Sequence, residues 1–359
     1  MHPTDVRPAR PPAPPRTGHR RHRGILILLA GVCGLASAAL TYLGLTELTT
    51  PSFPPAMSGP GPATPQAGAT TAHPVKLAAV SWPADGFSAA DIGGVGLVTG
   101  PGANRPVPIA SVAKVMTAYV ILHDHPLADG SGPEITVQPS EAAAYPAQVR
   151  AGDSLVPVAA GESLTERQAL AALLLPSADN MAWILARWDA GSQAAFVARM
   201  NATAQRLGLT GTHYTDPSGL DQSTTSTAAD QVRLGAAAMR VPALAAITAM
   251  PAAVVPEAGL VRNTNTLLGQ DGIAGLKTGS TQAAGGCLLV AAWSQVGGRK
   301  TLIVAATFGQ PGSAQTILPH ALRAGHDLVL ALDRALGATA AGGGAGRGGP
   351  GQPMPVTGP

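Results

Sequence analysis

The sequence predicts a mixed α/β fold, a sheet built from both ends of the folded region with a helical set packed on it. Three observations carry that expectation. Short runs rich in branched residues, IAGLKTG, CLLVAAWS and TLIVAATF, stand late in the region, the last two separated by QVGGRK, which suits a hairpin turn. A strand-like run at 97–99 stands near its start. Between them, apolar residues recur at helical spacing.

Glycine (44) and proline (33) crowd residues 1–75 and 336–359, which leaves 76–335 as one ordinary globular domain. Residues 1–23 hold six arginines against one acid, Asp5, so the net charge of +3 belongs to this tail and the remainder is slightly acidic. A domain with no basic face gives no ground for nucleic-acid binding. Residues 24–45 follow without a charge, a run long enough to cross a bilayer as a helix. Arginines on its N-terminal side put 1–23 in the cytoplasm and the domain outside, as a single-pass membrane protein. The run exceeds the apolar core of a cleavable leader and no A-x-A site closes it. Residues 46–75, rich in proline and threonine, read as an extended linker, and 336–359 as a disordered Gly/Pro-rich tail. Cys33 falls in the membrane run and Cys287 in a strand run, so the two cysteines are no disulfide framework.

Within 76–335, Pro108 breaks the chain after the first strand and Ser111 opens the helical run VAKVMTAYVILH. Ser163-Leu-Thr-Glu166 has the form of a capping box before ALAALLL, which Pro176 terminates. Ser177 falls on the loop that follows. Helical pattern resumes in MAWILARW and again in QAAFVARMNATAQRLG, with Gly208 as its C-terminal stop. Thr227-Ala-Ala-Asp230 caps a helix through Met239. After the strands, 313–335 returns to helical pattern, with Pro319 in its first turn or at a kink.

Three strings stand in order along the domain: Ser111-Val-Ala-Lys114, Ser177-Ala-Asp-Asn180 and Lys277-Thr-Gly279. A serine hydroxyl is a weak nucleophile until a base takes its proton, and a lysine three positions on in a helix shares its face. Lys114 serves as that base if burial or a nearby cation, Lys277 for one, lowers its pKa. The helix N-terminus favours negative charge developing at Ser111. Ser177, held after Pro176, is placed to relay a proton. Lys277 and Thr278 at a strand end offer a cation and a hydroxyl to a carboxylate, and Gly279 lets a substrate backbone approach. The first two strings also have ordinary readings: Ser111 and Ser177 as helix caps, Lys114 as a solvated lysine, and Asp179 and Asn180 as caps of the next helix.

The ordered triple resembles the signature of penicillin-binding proteins and class A β-lactamases. Together with PIASVAKVMTAY, ALLLPSADN, HYTDPSGLD, STAAD and GLKTGSTQAAGGCLLVAA, it is similar to the serine D-alanyl-D-alanine carboxypeptidases, the low-molecular-mass penicillin-binding proteins of peptidase family S11. The resemblance implies the penicillin-recognising serine transferase (β-lactamase-like) fold, a five-stranded antiparallel sheet flanked by helices with a helical subdomain. It implies that Ser111 is acylated by a peptidoglycan stem peptide ending in D-Ala-D-Ala, that Lys114 is the base and that Ser177 assists. Lys277 and Thr278 would bind the terminal carboxylate, and the N–H groups of Ser111 and Ser280 the oxyanion. Asp179, Asn180 and Gly279 complete the substrate-binding set, no cofactor or metal is needed, and β-lactams would acylate the same serine. One departure stands out: the family's second motif is S-x-N, whereas here Asp179 holds the third place and Asn180 the fourth.

Other readings start from other residues. His123-Asp-His125 lacks the spacing of zinc ligands. A β-lactamase needs a carboxylate after the second motif to activate water, where the sequence offers Asp189 and Asp216. A catalytically silent peptidoglycan-binding module would take its support from Asp179.

Overall fold

In a computed structural model of the chain, which describes residues 80–128 and 130–344, the first two strands, β1 (Phe87–Ile92) and β2 (Gly96–Thr99), form an antiparallel pair. A short β3 (Val107–Pro108) leads into one 3-10 turn, Ala110–Ala113, and then α1 (Lys114–Asp124). The single helix expected from Ser111 is thus split. Ala110 enters at a φ of +47°, a left-handed conformation costly for a residue with a Cβ, and the α-helical ladder starts only at Lys114.

The strands β4 (Glu134–Thr136) and, after α2 (Pro139–Ala151), β5 (Ser163–Thr165) form a two-stranded ribbon. Helix α2 has no counterpart in the sequence reading. It buries no residue and so carries no apolar stripe to reveal it; Pro139 and the Gln138–Glu141 capping box start it instead. The box expected at Ser163 and Glu166 falls two positions later. Ser163 belongs to β5, and Thr165 with Gln168 caps α3 (Glu166–Leu174).

Helices α4 (Asp179–Ala190) and α5 (Gln193–Arg206) follow as read, with Gly208 at φ +68° just past the second. β6 (Thr225–Ser226) pairs with β3, and Thr227 caps α6 (Ala228–Ala238) by accepting the Asp230 N–H at 3.0 Å. Then come α7 (Pro242–Thr248) and a hairpin of β7 (Ala252–Val255) and β8 (Gly259–Arg262). The meander β9 (Ile273–Thr281), β10 (Gly285–Val296) and β11 (Arg299–Gln310) matches the three strand runs. Gly297 and Gly298, at φ +55° and +78°, make the two-residue turn that the twist of a hairpin favours.

The main sheet is antiparallel, in the order β2-β1-β11-β10-β9, so both ends of the domain build it. Alternate residues face opposite ways. Leu288, Val290, Ala292, Ile303 and Ala305 pack under the last helix, α8 (Ile317–Gly344), while Leu289, Ala291, Val304 and Ala306 face the helical set. α8 runs past the boundary expected at 335, because Leu328, Leu332 and Leu336 continue one buried stripe on the sheet.

The basic tail at 1–23, the membrane run at 24–45, the linker at 46–75 and residues 345–359 of the Gly/Pro-rich tail lie outside the described residues. Among the described residues no helix is long and apolar enough to cross a membrane.

Candidate active site

The 3-10 turn, the loop between α3 and α4, and the edge strand β9 bring the three motifs to one place. Gly279 is why β9 can abut the turn. A Cβ there would stand 3.0 Å from the Ser111 nitrogen and 3.1 Å from the Ile109 carbonyl oxygen. Gly279, expected to give a substrate backbone room, also gives room to the protein's own serine turn.

Lys114 is fully buried, and its Nζ reaches three acceptors: Ser111 Oγ at 2.8 Å, Asp179 Oδ1 at 2.6 Å and the Ser218 carbonyl at 2.8 Å. An ammonium has three protons, and all three are used. In the neutral amine the lone pair can turn to Ser111, the one partner with a proton to give. Burial pulls the Lys114 pKa below the ordinary lysine value, and the Asp179 carboxylate opposes it, with a smaller contribution from Asp216. The cation expected to do this, Lys277, is itself the group displaced. Burial and then the Lys114 charge push Lys277 well below its usual range.

Asp179 starts α4 but caps nothing. Its second oxygen accepts the Ser154 N–H at 3.0 Å, and its own N–H donates to the Ser154 carbonyl at 2.6 Å. Asn180 makes a two-way bond with Val156, accepting at 3.3 Å and donating at 2.8 Å. Both side chains are thereby engaged with residues 154–156, Asp179 with Lys114 as well. Ser177 is buried at φ +70°, and its hydroxyl makes no hydrogen bond to Ser111 or Lys114 among the described residues.

On β9, Lys277 is 1% exposed and donates to the Thr278 carbonyl at 3.0 Å. Thr278 is 3% exposed, and its hydroxyl pairs with that of Thr264 at 2.6 Å. Ser280 is exposed on the same strand.

Sequence reasoning missed the turn that holds Lys114 from the far side. Asp216 Oδ2 accepts the N–H groups of Ser218 (3.0 Å), Gly219 (2.9 Å) and Leu220 (3.1 Å), and Oδ1 accepts the Thr224 hydroxyl at 2.7 Å. That aims the Ser218 carbonyl at Lys114, while Thr117 donates to the Pro217 carbonyl at 2.6 Å. The signal was present in the DPSGL string, which places an Asx-type acceptor before a glycine turn.

The carboxylates that a β-lactamase reading would need are occupied. Asp216 holds this turn, and Asp189, its side chain fully buried, binds His125 at 3.0 Å and Arg199 at 2.9 Å. The His125 ring also lies tilted against that of Trp188, centroids 4.2 Å apart, and His123 bonds Asp124 at 2.9 Å, so the two histidines have separate partners.

The sequence pattern of peptidase family S11, D-alanyl-D-alanine carboxypeptidase, matches residues 96–309. The chain is 38% identical over 234 residues to the D-alanyl-D-alanine carboxypeptidase DacB2 of Mycobacterium tuberculosis, covering 63% of this chain and 75% of that one. It is 35% identical over 191 residues to a D-alanyl-D-alanine endopeptidase of Pseudomonas aeruginosa, covering 51% of this chain and 59% of the relative. Among solved structures, the Streptomyces K15 DD-transpeptidase superposes with a TM-score of 0.61 at 25% identity, covering 70% of this chain and 99% of that one.

Proposed function

This chain belongs to peptidase family S11, the D-alanyl-D-alanine carboxypeptidases, and from that premise we propose how its site works and what each residue does. The enzyme is a serine carboxypeptidase of cell-wall metabolism with the penicillin-recognising fold, and it removes the terminal D-alanine from peptidoglycan stem peptides. Ser111 Oγ attacks the carbonyl of the penultimate D-alanine, and neutral Lys114 takes the hydroxyl proton. The backbone N–H groups of Ser111 and Ser280 hold the oxyanion. The proton passes to the departing amine of the terminal D-alanine with the help of Ser177, and water then frees the acyl group from Ser111.

The observation that carries this reading is the 2.8 Å contact between Ser111 Oγ and a fully buried Lys114, whose two remaining contacts fix the amine in direction. Lys277 and Thr278, on the edge strand β9, bind the substrate carboxylate. Asp179 positions Lys114 rather than touching substrate, and Asn180 holds the 154–156 segment beside it. A penicillin, which places a strained amide and a carboxylate at similar spacing, acylates the same serine.

The test is D-alanine release from a peptide ending in D-Ala-D-Ala, by the full-length chain and by Ser111→Ala. Release by the first and none by the second is expected, and equal release by both would refute it. Residues 24–45 anchor the protein in the cell membrane with the catalytic domain outside, a reading supported by the uncharged run and the arginines before it. Extraction of the protein from membranes by alkaline carbonate would overturn the anchor.

A further inference from the structure

Thr264 lies outside the three motifs, on the loop between β8 and β9, and it ties two of them together. Its N–H donates at 3.0 Å to the carbonyl of Leu175, just ahead of Ser177. Its hydroxyl stands 2.6 Å from the Thr278 hydroxyl and 3.3 Å from that same Leu175 carbonyl. Lys277 Nζ also approaches Thr278 Oγ1, at 3.5 Å.

A hydroxyl has one proton to donate and two lone pairs that accept. Two proton arrangements therefore satisfy the threonine pair. In the first, Thr278 donates to Thr264, and Thr264 passes its own proton to Leu175. In the second, Thr264 donates to Thr278, whose proton is then free for a ligand. The second gives up only the longer of the Thr264 hydroxyl contacts, and the Leu175 carbonyl keeps its backbone N–H, so nothing is orphaned once a ligand accepts the Thr278 proton. It also fills both lone pairs of Thr278 Oγ1, one from Thr264 and one from Lys277. What remains to Thr278 is a donor and nothing else.

We propose that Thr264 is a specificity-determining positioning residue: its hydroxyl proton fills the acceptor side of Thr278 and commits Thr278 to donate, which selects a substrate ending in a carboxylate over one ending in a carboxamide. A carboxylate presents only acceptors, whereas a carboxamide brings protons that find no acceptor on Thr278 while Thr264 and Lys277 donate to it. The inference rests on the reading that the substrate's C-terminal carboxylate lies at Lys277 and Thr278.

The experiment compares kcat/KM for an N-acylated peptide ending in D-Ala-D-Ala and for the same peptide amidated at its C terminus. Wild type, Thr264→Val and Thr264→Ser are measured as full-length chains, with thermal unfolding as the check on folding. In T264V the carboxylate-to-amide preference falls by about tenfold, the size of one lost hydrogen bond, through a higher KM for the carboxylate peptide. T264S keeps the wild-type preference. Thr264→Ala replaces T264V if valine unfolds the chain. An unchanged preference in the variant lacking the hydroxyl, an equal fall for both peptides, or a T264S as impaired as T264V overturns the inference. If wild type hydrolyses neither peptide, the carboxypeptidase reading fails on its own. Thr264 is then tested by calorimetric binding of the two peptides to Ser111→Ala with and without T264V. The same tenfold loss of preference supports the inference there, and no preference or no binding overturns it.

Discussion

Glu166 begins α3 with its side chain fully buried, and neither carboxylate oxygen has a hydrogen-bond partner among the described residues. Its Oε2 lies so close to Gly132 that a Cβ there would stand 2.6 Å away. Burial raises its pKa from 4.5 to about 7, against a lowering by Arg167. The helix N-terminus favours the charged form without restoring it. Protons are therefore held more tightly by the folded chain than by the unfolded one. The stability tied to this proton is complete below pH 4.5, declines as pH rises and is lost above about pH 7. At 1.36 kcal/mol for each pH unit, the loss amounts to at most about 3 kcal/mol. Glu166→Gln keeps the shape and cannot ionise. Urea unfolding at pH 4.5 and pH 8 should show wild type losing up to about 3 kcal/mol across that range relative to the variant. Parallel pH dependences for the two proteins would refute the argument, because any cost of the buried amide itself is the same at both pH values.

Three further outcomes follow from the site. Asp179→Asn removes the carboxylate that raises the Lys114 pKa, so the unprotonated amine is populated at lower pH, and the acid limb of the kcat/KM profile moves to lower pH. An unmoved limb would separate Asp179 from Lys114 titration. Gly279→Ala drives a methyl group toward the Ser111 nitrogen; displacing the serine should slow penicillin acylation, by up to about a hundredfold for a shift near 1 Å, with the stopped-flow rate as the check. Asp216→Asn trades an acceptor of several N–H groups for an amide, costing about 2–4 kcal/mol in urea unfolding and loosening the carbonyl that holds Lys114.

The structure and the sequence part company at identifiable places. Helix α2 was invisible because its signals are a cap and a proline, not a buried stripe. The cap of α3 was misplaced because Ser163–Glu166 and Thr165–Gln168 satisfy the same pattern, and only the pairing of Ser163 with Thr136 in the ribbon decides between them. Helix α8 ends later than the glycine-rich composition indicates, since a leucine stripe continues to Leu336.

What the sequence by itself determined is whatever local chemistry enforces. Branched residues and a Gly-Gly turn make the β9–β11 meander, Pro176 ends the helical run ahead of Ser177, Thr227 caps α6, and the spacing of Ser111 and Lys114 puts them within one turn. The order of the three motifs also points to the family. Only the tertiary structure decided the state of Lys114. Asp179 is 65 residues away from it in sequence and the Ser218 carbonyl 104, while Thr264 reaches Leu175 across 89. Desolvation and Coulomb interactions act through space, so the pKa of the lysine and the proton direction at Thr278 are set by groups that no local pattern brings together.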